Sequence, residues 1–169
     1  MNGYIAEKAM QQLKNYDQAE VYVSNTTVHT IYIDNSQISN IESKDDLGMM
    51  FRMTKDGKQG KASVALNSPE AEVNCLEMAD SVLKYSPVNK SLNLFAQPEQ
   101  AKIAMPDVLD KNVVEITPEV LRDLAKRVID SSSDCNGTSV KIPRAQIRVS
   151  VTESHVMNSN GVDAEHTSS

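Results

Sequence analysis

Apolar residues change their period several times along this chain. Ile5, Ala6, Ala9, Met10 and Leu13 recur at helical spacing, which predicts an amphipathic helix over residues 3–15 that ends by Asp17. "AEVYVS" (19–24) and "TVHTIYID" (27–34) then alternate and are rich in β-branched residues, so each reads as a strand, broken at Asn25-Thr26. "SQISNIES" (36–43) is a weaker strand signal, because Ile38 and Ile41 stand three apart; a bulge would reconcile them.

"LGMMFRMTKDGKQGKASVAL" (47–66) is the clearest hairpin. Asp56-Gly57 can supply the two positive φ values of a type I′ turn. Gly48 and Gly60 lie inside the flanking strands, where glycine marks a bulge or a close backbone approach. Ser68-Pro69-Glu70 reads as a helix start, and Val73, Leu76, Ala79 and Leu83 line one face before Pro87. Residues 86–116 lose the pattern. Pro87, Pro98 and Pro106 interrupt them, yet Leu92, Leu94, Phe95, Val108 and Leu109 call for burial. They predict an irregular segment packed over the surface. Thr117-Pro118-Glu119 repeats the helix-start grammar, with Leu121, Leu124, Ala125 and Val128 as its stripe to about Asp130. "SSSDCNG" (131–137) reads as a loop. Residues 145–159 alternate, with Ile147, Val149 and Val151 on one face, a long strand with one buried side. Asn158-Ser159-Asn160-Gly161 is turn chemistry, and a further strand sets out at Val162. Hairpins followed by a block of helices predict an α+β fold: mostly antiparallel sheet, packed by about three helices.

Composition narrows the functional classes. At 169 residues the chain suits one domain. Net charge is −6 and Trp is absent, which disfavours a nucleic-acid partner. No apolar run reaches the length of a membrane span, and the first residues lack a secretion signal. Cys75 and Cys135 are the only cysteines. Two thiols without such a signal fit a reducing, cytoplasmic setting.

Candidate chemistry is sparse. His155 and His166 flank the 158–161 turn and Glu165 adjoins His166. They read either as two histidines on a polar strand face or as a paired metal site. His29 lies in phase with Ile31 and Ile33 and reads as a partly buried, hydrogen-bonded histidine. Ser63 has no nucleophile-elbow pattern, and Gly57 and Gly60 make no phosphate loop. Asp45-Asp46, and the run around Asp107 and Asp110, read as solvated charge. Met49, Met50 and Met53 read as strand core and surface. The residues thus predict no catalytic, cofactor-binding or metal-ligating set.

Several stretches together resemble one family. "AEVYVS", then "IYIDNSQISNIESKDDLGMMFRMTKDGKQGKASVALNSPEAEV", is similar to the amino-terminal domain of the TldD/PmbA family. The shared succession is an Ala-Glu strand, a segment rising to "I..I.S", a "G...R" strand, a "DG..G.AS" hairpin and a helix. "NLFAQPEQAKIAMPDVLD" resembles that family's Leu/Pro-rich crossing segment, and "HVMNSNGV" its "NS.G" strand and turn. The family, once called modulators of DNA gyrase, comprises cytoplasmic proteins of peptide maturation. Its TldD branch carries zinc on an HExxxH motif beyond the "NS.G" strand, and its PmbA branch is the partner that lacks an intact motif. This sequence has no HExxxH. The resemblance therefore implies one amino-terminal domain over residues 1–169, truncated before a carboxy-terminal domain, acting as scaffold and substrate-tunnel wall. It implies no cofactor in this stretch, with zinc in the longer parent or its partner. The implied partners are an opposite-branch subunit or a second copy, with a peptide as substrate. An autonomous module that regulates a protein target is the alternative.

Overall fold

A computed structural model describes residues 1–89, 95–98, 108–133, 138 and 140–169. Helix α1 (Asn2–Met10) runs into a short 3-10 turn (Gln11–Leu13). Strands β1 (Gln18–Asp34), β2 (Gln37–Lys55) and β3 (Lys58–Ala65) follow. Helices α2 (Ala71–Tyr85), α3 (Lys111–Val114) and α4 (Pro118–Ser133) come next, then β4 (Arg144–Asn158) and β5 (Asp163–Ser168). The strands form one antiparallel sheet in the order β3-β2-β1-β4-β5. The α+β expectation holds.

The expected strand breaks are absent. Asn25-Thr26 does not divide β1, which runs unbroken from Gln18 to Asp34; among the described residues the non-glycine positions with positive φ are Asn35, Ser36 and Asp56. Thr26 and Thr152 instead share a cross-strand hydroxyl bond of 3.0 Å. The polar run Ser43–Asp46 likewise continues β2, with Ser43 bonded to His29 and Asp45 to Thr27. Ser39 Oγ donates to the Tyr32 carbonyl at 3.2 Å. Ile38 is half-buried and Ile41 exposed, so the two do not share a buried face. Turn residues Asn35 and Ser36 both take positive φ, 51° and 59°.

Asp56 and Gly57 behave as read, with φ of 51° and 72°. β2 and β3 pair without interruption from Gly48↔Ala65 to Lys55↔Lys58, so no bulge marks either strand glycine there. Gly60 has another reason to be small. A Cβ there would lie 2.2 Å from the Ala79 carbonyl oxygen of α2. The backbones of helix and sheet touch at this point. That contact selects the buried face of α2, which is Ala71, Cys75, Ala79 and Leu83. Val73, expected on that face, is exposed. The helix also begins later than Ser68: no side chain caps it, and the Ser68 carbonyl accepts the Ala71 N–H. α4 starts as expected, with Thr117 Oγ1 accepting the Val120 N–H. Leu121 and Ala125 are buried there, while Val128 is exposed.

The chain divides into two compact units. One comprises Met1–Asn25, Asp46–Asp107 and Glu153–Thr167; the other comprises Thr26–Asp45, Val108–Thr152 and Ser168–Ser169. The first unit buries Val21, Val23, Phe51 and Met53 of the sheet against Ala6, Ala9, Cys75 and Ala79 of its helices. The second buries Ile31 and Ile33 against Leu121 and Ala125, ringed by half-buried aliphatics such as Ile38, Leu124 and Ile147. Of the segment expected to be irregular, Leu92 and Leu94 lie outside the described residues. Phe95 is buried as expected, but Val108 and Leu109 are exposed rather than buried; residues 111–114 form the single-turn α3, capped by the Asp110 carboxylate on the Asn112 N–H.

Candidate functional site

The first unit contains two polar constructions that meet at the end of β4. The β4–β5 turn builds one of them. Gly161 takes φ +91°, which a side chain would strain. This lets the turn close with Gly161 N–H on the Asn158 carbonyl. Asn158 is buried, and both ends of its side-chain amide are engaged. Oδ1 accepts the N–H groups of Asn160 (3.0 Å) and Val162 (3.1 Å), and Nδ2 donates to the Ala96 carbonyl at 3.0 Å. Asn160 Nδ2 donates to the Phe95 carbonyl at 2.9 Å. Gln18 Oε1, at the start of β1, accepts the Phe95 N–H at 3.1 Å. Three side-chain amides therefore latch two residues of the crossing segment by their main chain.

The Phe95 ring is held separately. It is buried, with the Arg52 guanidinium carbon 4.2 Å from its centroid, a cation–π stack. Arg52 Nη2 lies 2.9 Å from Glu20 Oε1, which fixes the guanidinium plane. Its Nε is buried without a partner among the described residues.

The second construction is His155. Alternation along β4 turns it inward, where its side chain is 7% exposed. Nδ1 lies 3.0 Å from Glu165 Oε1 and Nε2 lies 2.7 Å from Asp163 Oδ1. Asp163 and Glu165 reach it from one face of β5. Gly3 of α1 packs on the ring, for a Cβ there would stand 3.2 Å from Cε1. Asn2 Nδ2 ties the same helix start to the Glu153 carbonyl at 3.1 Å.

This geometry does not suit zinc. The two carboxylates sit at opposite ends of the imidazole and do not converge on a common point. Among the described residues no group of three His, Cys, Asp or Glu side chains could hold a metal ion. His155 and Glu165 are thus brought together as the paired reading required, but His166 alternates away from Glu165 along β5. His155 itself is buried, and its ring nitrogens are engaged by the exposed carboxylates of Asp163 and Glu165.

The remaining candidates are dispersed. His29 Nδ1 bonds Ser43 in the second unit. Ser63 is exposed opposite Met50. Met49 and Met53 are core, and Met50 is half-buried. Burial pushes the Cys75 thiol pKa up, so it is a packing residue. Cys135 and Asp107 lie outside the described residues. In the second unit a cavity of about 690 Å³ opens over Tyr32, Asp34, Ser39 and Arg144. There a hydrogen bond from Ser39 and the Arg144 guanidinium hold the Asp34 carboxyl below its ordinary range.

The sequence leaves Asp163 and Gln18 unassigned, and marks Asn158 and Asn160 only as turn residues and Arg52 only as part of a strand motif. Only Asp163-x-Glu165, two carboxylates on one strand face opposite a histidine strand, carried a signal that spacing could have shown. Amides that bind main chain leave none, since their partners are remote and of any residue type.

Residues 19–80 match the family model described as PmbA/TldA metallopeptidase domain 1. No curated protein matches the chain. Among solved structures, TldE from Thermococcus kodakarensis superposes with TM-score 0.80 at 19% identity, covering 98% of this chain and 36% of its own. A candidate modulator of DNA gyrase from Thermotoga maritima gives 0.77 at 17%, covering 96% and 37%. Another from Bacteroides thetaiotaomicron gives 0.73 at 22%, covering 98% and 38%. These likenesses establish the fold. The chain spans little more than a third of the length of each.

Proposed function

We propose, from the match of residues 19–80 to the PmbA/TldA metallopeptidase domain 1 model, that the chain is the first domain of a member of that family and acts as a scaffold. It forms part of the wall of a substrate tunnel in a TldD/PmbA-type peptidase, or in the non-catalytic partner of one. Its setting is cytoplasmic peptide processing or maturation, and its assembly partner is a subunit of the opposite branch. The match over 19–80 carries the reading. Two features support the division of labour. Among the described residues no group of three His, Cys, Asp or Glu side chains could hold a metal ion. The matched stretch includes Glu20 and Arg52, which pair with each other while Arg52 stacks on Phe95. No described helix is long and apolar enough to cross a membrane.

A peptidase assay with unstructured peptides tests this on three samples: the chain alone, the chain with an opposite-branch protein, and a longer chain that includes a zinc motif, with that same partner. Chelator-sensitive cleavage is expected in the third sample only. Such cleavage by the highly purified chain alone would overturn the reading.

A further inference from the structure

Phe95 and Ala96 are held in the manner of a bound peptide. Their main-chain groups are read by the amides of Gln18, Asn158 and Asn160, which are indifferent to the residues that present those groups. Only the Phe95 side chain is read by kind. It is 3% exposed and lies against the face of a guanidinium fixed by Glu20. Backbone reading plus one side-chain pocket is how extended peptides are recognised. We propose that this is a recognition site for an extended peptide bearing an aromatic side chain, filled in cis by Phe95-Ala96.

The geometry supports an exchangeable occupant in two ways. First, the bonds from Gln18, Asn158 and Asn160 end on main-chain atoms of Phe95 and Ala96, so a peptide in trans can offer the same three groups. Second, Arg52 Nε is buried with no partner among the described residues. An unspent buried donor is costly, and a ligand with an acceptor at that point would gain a bond the strap does not make. The tethered strap has the advantage of effective concentration, so the unaltered chain is self-occupied. This site goes beyond the scaffold role and stands without it, since its test needs no peptidase activity.

The experiment removes the plug. Phe95→Ala is titrated into dye-labelled, end-capped hexapeptides with Phe-Ala or Ala-Ala at the centre, followed by fluorescence anisotropy. The Phe peptide should bind at least about tenfold more tightly than the Ala peptide, from burial and stacking of its ring. The unaltered chain should bind the Phe peptide weakly, because the strap competes. Asn160→Ala in the Phe95→Ala background should lower affinity about fivefold through the lost amide bond. Phe95→Leu keeps most of the apolar bulk and serves if Phe95→Ala does not fold; the preference for Phe over Ala should persist in it. A folded variant that binds neither peptide, or both equally, would overturn the proposal. Equal affinity of the unaltered chain and Phe95→Ala for the Phe peptide would overturn it too, by showing that binding occurs elsewhere.

Discussion

The two compact units are held together by different means. The first, which includes α1, α2 and the β2–β3 hairpin, has a continuous core from Ala6 to Leu83 and adds buried polar pins, His155 and Asn158. The second, which includes α3, α4 and the Asn35-Ser36 turn, buries only Ile31, Ile33, Leu121 and Ala125 outright among the described residues. Its other aliphatics stay half in water. Polar pins need a surrounding core, since a buried hydrogen bond or ion pair has worth only where water is excluded. The first unit can therefore specify one arrangement of turn and strap. The second buries less apolar area, and its polar bonds, such as His29 to Ser43 and Arg144 to Asp34, lie at exposed side chains, so it is easier to weaken.

Substitutions in each unit sharpen this contrast. The largest effect should come from Gly60→Val in the first. Its Cβ would overlap the Ala79 carbonyl and crowd Leu83, and main chain cannot give way as a side chain does. A loss of at least about 3 kcal/mol in denaturant unfolding is expected. Leu121→Ala removes a large share of the small core of the second unit and should cost about 3 kcal/mol. Hydrogen exchange of that variant should quicken across α4 and Arg144–Thr152 while α2 stays protected. Uniform loss across both units would contradict the contrast.

A smaller effect follows from pH. Burial, aided by a hydrogen bond to Asp80, pushes the Tyr16 phenol up to about 12. A raised folded-state pKa means that the neutral phenol is favoured in the fold. Its contribution is then fully present below the ordinary tyrosine value of 10.0 and is lost as pH climbs from there to about 12. Tyr16→Phe should flatten that part of the stability profile. Absorbance titration should show one of the five tyrosines ionising late in the unaltered chain and not in the variant.

Much of the first unit was legible because its signals are local. Asp56-Gly57 forces a turn whatever surrounds it, and Thr117-Pro118 starts α4 in the second unit for the same reason. The strand breaks misled because Asn25-Thr26 and Ser43–Asp46 resemble loop residues. Cross-strand partners such as Thr152 and His29, remote in sequence, absorb their polarity. The face of α2 was hidden for a similar reason. Periodicity favours the larger Val73, but the Gly60 contact admits only small residues such as Ala79. The clamp on His155 required knowing which faces of β4 and β5 meet, and the latch on Phe95 joins positions more than sixty residues apart. The family-like motifs were visible as letters. Their use, with Glu20 steadying Arg52 and the Asn158–Gly161 turn gripping a strap, was visible only in three dimensions.

The central claim is that these motif residues act as a latch rather than as chemistry. Amide hydrogen exchange of Asn158→Ala beside the unaltered chain tests it most directly. The variant loses the acceptor of the Asn160 and Val162 N–H groups and the donor to Ala96. Exchange at Phe95, Asn160 and Val162 should rise at least about tenfold, the scale of one buried hydrogen bond, while Cys75 and Ala79 in α2 keep their protection. Unchanged exchange at those three amides in a folded variant would contradict the account.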